Sequence, residues 1–428
     1  MKQNLRRAVN LTALVLAAGL LIGLLMGCPN GSGPNRPNEL AQPNGPVQPT
    51  DPSIFKTDGH GVITGYTCTK DKLPANLVIP AKIGDEVITG IGWWAFEGCT
   101  GLTSVYFPAS LTAIGVGAFE GCTGLKSLDL SSCTSLTTIG SSAFYGCTGL
   151  TNLDLSGCTS LTTIGVDTFF HCSSLTSVSL PANLTQIDGR AFYGCTGLTS
   201  LTIDSSNTTY KAEGNILYNK EGTTLSLAAG GLTSVNIPET VTTIGECAFA
   251  GCTGLISISL PLHLTQIGRG AFSSCTGLTS ISLPLHLTQI GSGAFDGCTG
   301  LTSISLPAHL TQIGSWAFFS CTGLISISLP LHLTQIGRGA FSNCTGLTSI
   351  SLPLHLTQID RDAFFGCTDL TSVIFADKNG WKVYNNEEHT ENKTEINSAD
   401  LANTETAAKY LRENTDNGGY YDKYWKKD

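Results

Sequence analysis

Charge is scarce in this sequence: only 13% of its 428 residues are acidic or basic, and they sum to −9. A chain without a basic excess lacks the electrostatic footprint that holds nucleic acid, so nucleic acid is not an expected partner. No serine lies in a Gly-x-Ser-x-Gly elbow, and neither a His-Glu-x-x-His helix motif nor a P-loop occurs. The nucleophile elbow, the zinc protease site and the phosphate cradle are thereby excluded. No Cys-x-x-Cys pair offers a zinc ligand set, and the acids are scattered singly. The expectation is a non-enzyme with no cofactor, no metal and no small-molecule substrate. His171 beside Cys172 looks like a base and a nucleophile, but Cys172 belongs to a repeating column and is read as packing.

What the chain has in abundance is repetition. Cys252, Cys275, Cys298, Cys321, Cys344 and Cys367 stand 23 residues apart, as do Cys99 and Cys122, and Cys172 and Cys195; Cys122, Cys147 and Cys172 stand 25 apart. All eleven follow an Ala-Phe pair, replaced once by Thr168-Phe169. A fixed period of this length marks a solenoid rather than a set of globular domains. In LTSISLP the apolar Leu278, Ile281 and Leu283 alternate with Ser280 and Ser282, the period of a strand with one buried face. Pro284 closes that strand because it has no N–H to donate. Leu287, Ile290, Ala294 and Phe295 continue the inward set, with a turn at Gly291 or its neighbour. One unit cannot bury so many apolar groups, but stacked units can.

Eleven cysteines at one equivalent position form a column in which none has a distinct partner. They are read as a buried thiol ladder, with disulfides as the alternative; Cys133 and Cys158 form a second short column, and Cys247 lies near Cys252. His263, His286, His309, His332 and His355 also recur every 23 residues. Such a column can take up a transition metal or respond to mild acid. It is read instead as a product of duplication, because Ser110 and Asn183 stand at the same place in earlier units.

At the amino terminus Lys2, Arg6 and Arg7 precede an apolar run from Leu11 to Met26, then Gly27-Cys28. These are the marks of an export signal, with an uncleaved membrane anchor as the alternative. Cysteine directly after a small residue resembles the bacterial lipoprotein lipobox, which implies cleavage of residues 1–27 and acylation of Cys28; removing that leader makes the formal charge three units more negative. The Pro-, Asn- and Gly-rich residues 28–52 read as a disordered tether.

The pattern C-x-x-L-x-x-I-x-L-P-x-x-L-x-x-I-G-x-x-A-F over about residues 63–375 resembles the treponemal-class leucine-rich repeats of BspA-like bacterial surface proteins. The resemblance implies a mainly β, right-handed solenoid with stacked parallel strands and about eleven repeats. Its expected parts are an N-terminal cap at 53–91, an array at 92–375 with a hairpin insertion at about 204–231, and a C-terminal cap and tail with a short helix at 376–428. The insertion, YKAEGNILYNKEGTTLSLA, is expected to turn at Asn219–Gly222, and Ser398–Asn414 to be helical. Tyr420, Tyr421, Tyr424 and Trp425 are read as packing residues of that cap.

The resemblance further implies a lipid-anchored protein at the outer membrane or cell surface. It would attach to host matrix or plasma proteins, glycoproteins or other bacteria; a structural envelope or aggregation role without a specific ligand is the alternative. The candidate binding face comprises Ser257, Ser259, Ser280, Ser282, Ser303, Ser305, Ser326, Ser328, Ser349 and Ser351, two hydroxyl tracks on the strands. Thr-Gln pairs such as Thr265-Gln266 form a further polar track. Variation between units concentrates in the Gly-x-x-Ala-Phe turn, where Trp93, Trp94, Arg190, Arg269, Trp316, Arg338 and Arg361 stand. Trp and Arg are the residue types enriched at binding hot spots.

Overall fold

A computed structural model describes residues 49–390 and 393–427; the leader, Cys28 and most of the tether lie outside the described residues. Each 23-residue unit is one coil of a β-solenoid of about twelve turns. The alternation in SIS produces the strand Ser280–Ser282, with Ile281 buried and both serines exposed. It pairs in parallel with Ser303–Ser305, placing serine beside serine and Ile281 beside Ile304. The segment Gln289–Ile290 forms a second, shorter ladder, pairing with Gln266–Ile267.

Glycine is needed for two different reasons in this coil. A Cβ on Gly291 would come within 2.6 Å of the Arg269 nitrogen in the preceding coil, so Gly291 serves close approach. The turn itself falls at Gly293, whose φ of +62° favours glycine. The same left-handed position is held elsewhere by Trp94, Ser142, Asp167, Cys247, Trp316 and Asp362.

Like residues stack through the core. Phe249, Phe272, Phe295, Phe318, Phe341 and Phe364 form a column of near-parallel rings 5.2–5.4 Å apart. Phe96, Phe119, Phe144, Phe169 and Phe192 form another. All fifteen described cysteines are free thiols. The column cysteines are buried, and each typically donates to the carbonyl of the phenylalanine in the coil before, as Cys298 does to Phe272 at 3.1 Å. Cys133 and Cys158 repeat the arrangement against the Pro108 and Leu130 carbonyls at 3.7 Å.

Three features depart from expectation. First, Asn76–Val78 pairs in parallel with Ser104–Tyr106, so coil stacking starts within the segment expected to be a cap. Ahead of it, Phe55–Thr57 and Val62–Tyr66 form an antiparallel pair, and the latter strand joins the short ladder at Gly90–Ile91. Second, the insertion is a three-stranded meander rather than one hairpin: Tyr210–Glu213, Ile216–Asn219 and Thr224–Ala228. The additional turn is Gly214-Asn215, with φ of 59° and 63°, suited to a two-residue hairpin loop. The last strand rejoins the solenoid beside Thr243–Ile244, and the buried core divides there into two clusters. Third, the expected single helix is two: α1 (Ser398–Ala402) and α2 (Thr404–Arg412). Asn403 separates them by turning its side chain onto the Glu405 and Thr406 nitrogens as an N-cap. Beyond α2, Tyr424–Lys427 runs antiparallel to Gln358–Ile359 of the last coil and to Trp381–Tyr384. Trp425 is buried there, while Tyr420, Tyr421 and Tyr424 are half-buried.

Candidate binding surfaces

All ten serines of the two tracks are exposed on successive strands. Parallel pairing in register aligns them from Ser280 through Ser303 to Ser326, and from Ser282 through Ser305 to Ser328. The threonines of the neighbouring track are committed differently. Thr265 donates its hydroxyl to the Thr242 carbonyl at 3.2 Å, and Thr288 to Thr265 at 3.3 Å. That track braces one coil on the next and leaves less hydrogen-bonding capacity for a ligand.

Sequence reading missed an apolar column. Leu262, Leu285, Leu331 and Leu354, each immediately after the proline that ends a strand, are 48–71% exposed. Period two would put Leu283, Leu285 and Leu287 in one phase, but the strand ends before Pro284. The proline turn breaks that phase, leaving Leu287 buried, Leu283 half-buried and Leu285 in solvent. The signal that finds it is the strand-ending proline itself, since period-two reasoning stops there. The five recurring histidines, four after these leucines and His309 after Ala308, are exposed. His263 stacks on His286 with centroids 6.2 Å apart, and His332 on His355 at 5.8 Å. Among the described residues no group of three or more His, Cys, Asp or Glu is placed to hold a metal ion.

The variable turn residues divide by role. Trp93 and Trp94 are exposed and meet edge to face at 6.3 Å. Arg190 pairs with Asp167 at 3.0 Å and lies over Phe170. Arg338 lies over Trp316 and faces Asp362 at 3.5 Å, a carboxylate also held by Arg361 at 3.1 Å. Arg269 faces Glu246 across 3.9 Å in the open. The leucine column adjoins the serine tracks, Leu285 following Ser282 by three residues, and most of the turn arginines are engaged within the framework.

Some turn residues do converge on a trough of about 590 Å³ that crosses the meander splice, lined by Phe170, Arg190 and Tyr193 on one side and Arg269, Asp296 and Trp316 on the other. Its cause is the residue after each Ala-Phe pair. Tyr145, Phe170 and Tyr193 occupy that place in three coils and stack at 4.9 and 4.8 Å. Ala250, Ser273 and Asp296 follow in the next coils, so the surface drops. It rises again at Phe319, which Trp316 meets edge-on at 5.2 Å. Tyr193 ties the two sides together through a 2.7 Å hydrogen bond with the Ser274 hydroxyl.

His171 and Cys172 do not form a catalytic pair. The imidazole sits edge-on to Phe170 at 4.5 Å, and burial lowers its pKa. Interaction with the Cys195 thiol, together with burial, holds the Cys172 thiol well above its usual range. Both shifts oppose formation of the thiolate–imidazolium pair that such nucleophiles use.

The sequence matches the model of the BspA type leucine-rich repeat region in six copies, over residues 89–220, 227–320 and 265–387. No curated protein matches at a significant level. Among solved structures, a leucine-rich repeat protein from Eubacterium ventriosum is 27% identical with a TM-score of 0.57, covering 72% of this chain and 88% of its own. The pneumococcal vaccine antigen PcpA shares the fold at 21% identity and a TM-score of 0.60, over 73% of this chain and 78% of its own. With its repeats matched over most of their length and stacked as coils, the chain belongs to the BspA-type leucine-rich repeat family.

Proposed function

We propose that this is an exported surface lipoprotein whose repeat array binds host or bacterial macromolecules, proteins or glycoproteins rather than small molecules. The observation that carries this reading is the exposed leucine column. Leu262 and Leu285, then Leu331 and Leu354, recur along the array beside the serine tracks with Ala308 between the two pairs, and all four side chains are exposed. Exposed apolar side chains clustered within a polar surface are characteristic of interaction sites. The Lys2 to Cys28 sequence supports export and a lipid anchor, placing the array at a membrane surface. A ligand as extended as the array suits a face with aligned hydroxyls, apolar side chains and little charge.

Two measurements test the proposal. Metabolic labelling with a fatty acid should mark the wild-type chain and not Cys28→Ala; equal labelling removes the anchor. Saturable binding to immobilised fibronectin, fibrinogen or laminin, or to whole bacterial cells, should weaken when residues 256–324 are deleted in register. Undiminished binding by the shortened array would place the ligand elsewhere, and no binding on the panel would favour a structural envelope role.

A further inference from the structure

We propose that the trough at the meander splice is a docking pocket for a lysine or arginine side chain of a polypeptide partner, with Asp296 as the counter-charge and the rings of Tyr193 and Trp316 as its walls. This rests on the reading of the array as a binding surface and specifies the chemistry of one ligand group.

The trough is concave and aromatic on both sides, the arrangement that favours a cation, since ring faces attract positive charge. Of its own cations, Arg190 is held by Asp167 and Phe170, while Arg269 faces Glu246 at 3.9 Å and is largely solvated. Asp188 accepts the Arg190 backbone N–H at 2.9 Å. Asp296 differs from all of these. It is half-buried in the trough lining, its carboxylate receives no hydrogen bond or ion pair among the described residues, and burial pushes its pKa up to about 6. A carboxylate withdrawn from water without a donor is an unfavourable arrangement that an incoming ammonium or guanidinium relieves.

Sequence places this carboxylate where a ligand can reach it. The residue after Ala-Phe is Ser273 in the preceding coil and Phe319 in the following one. The two left-handed turn positions beside it, Gly270 and Gly293, carry no side chains that could cover it. Asp296 therefore lines the trough together with Gly270, Gly293 and Trp316, with no side chain at either glycine to screen it. A negatively charged chain also attracts basic segments at long range, improving encounter without adding specificity.

The test uses the full chain and a fluorescent alternating Gly-Lys peptide, with its Gly-Gln counterpart as control, read by polarisation at physiological salt. The Gly-Lys peptide should bind, and Asp296→Asn should weaken it by about tenfold or more; Trp316→Ala should weaken it several-fold. Asp154→Asn, an exposed carboxylate on a strand away from the trough, should leave it unchanged. Wild-type affinity should fall as acidification protonates Asp296 around pH 6, and the Asp296→Asn profile should lose that step. Asp188, Arg190, Glu246, Cys247 and Arg269 also face the trough, so the step must vanish with Asp296 alone to be its own. Equal binding of the Gly-Gln peptide, equal loss in Asp154→Asn, or no binding overturns the pocket. The array reading stands or falls separately, on deletion of residues 256–324 in the macromolecule assay.

Discussion

The Cys275 thiol donates to the carbonyl of Phe249 at 3.1 Å. The same relationship recurs in each following coil, but Cys252, directly after the meander, meets the Ala229 carbonyl at 3.9 Å instead. The thiol column therefore joins one coil to the next, and it loosens where the insertion replaces the preceding phenylalanine coil.

Alkaline pH should unfold this protein through those thiols. Burial pushes Cys252, Cys298 and Cys367 up to about 12, against about 8.5 in an unfolded chain. A raised folded pKa means that the unfolded state releases protons first. The stabilising contribution is complete below about pH 8.5 and is lost as pH climbs toward 12. Urea titrations at pH 7 and pH 10 should show a marked decline in stability, and replacing these three cysteines with alanine should lessen it, the other buried thiols supplying the rest.

Removing one ring from a column should be costly. Phe295 is fully buried between Phe272 and Phe318 at 5.4 Å on each side. Phe295→Ala should lose about 3–5 kcal/mol of unfolding free energy, with the midpoint in urea as readout. A loss below about 1 kcal/mol would mean that the coil closes over the gap.

The left-handed turn positions give paired predictions of opposite sign. Gly293→Ala adds a Cβ with room, its nearest neighbour 3.8 Å away, so only backbone strain is introduced and about 1 kcal/mol should be lost. Ser142 already bears that strain at φ 57°, and Ser142→Gly should raise the thermal midpoint.

Leu285→Ser separates binding from stability. The side chain is 71% exposed, so unfolding free energy should change by no more than about 0.5 kcal/mol. Macromolecule binding should nevertheless weaken if the leucine column is the contact, and unchanged affinity would remove that column from the site.

The framework was readable from sequence because it is written in equivalent positions: the Ser-Ile-Ser strand, the Ala-Phe pair and the cysteine. Elements outside the repeat were harder. Gly214-Asn215 carries a hairpin signal, yet its flanking strands are too short to stand out beside the Asn219–Gly222 turn. Asn403 was absorbed into a helical pattern although it is a good N-cap. The leucine column is hidden because the strand pattern ends at the proline, and no period fixes which way the next leucine points. The trough was legible in principle, as a run of small residues between aromatic ones after Ala-Phe. It emerges only when the insertion brings Tyr193 beside Ser274, a contact between residues 81 apart in sequence.

The division of the core at the meander has a mechanical consequence. Leu232 packs against both clusters, while the phenylalanine columns stop at Phe192 and begin again at Phe249. A stacked array draws its cooperativity from contacts between neighbouring coils, so this molecule behaves as two springs joined in series. Under a pull along its length the join should part before either stack does, and force spectroscopy should then read two separate unfolding steps.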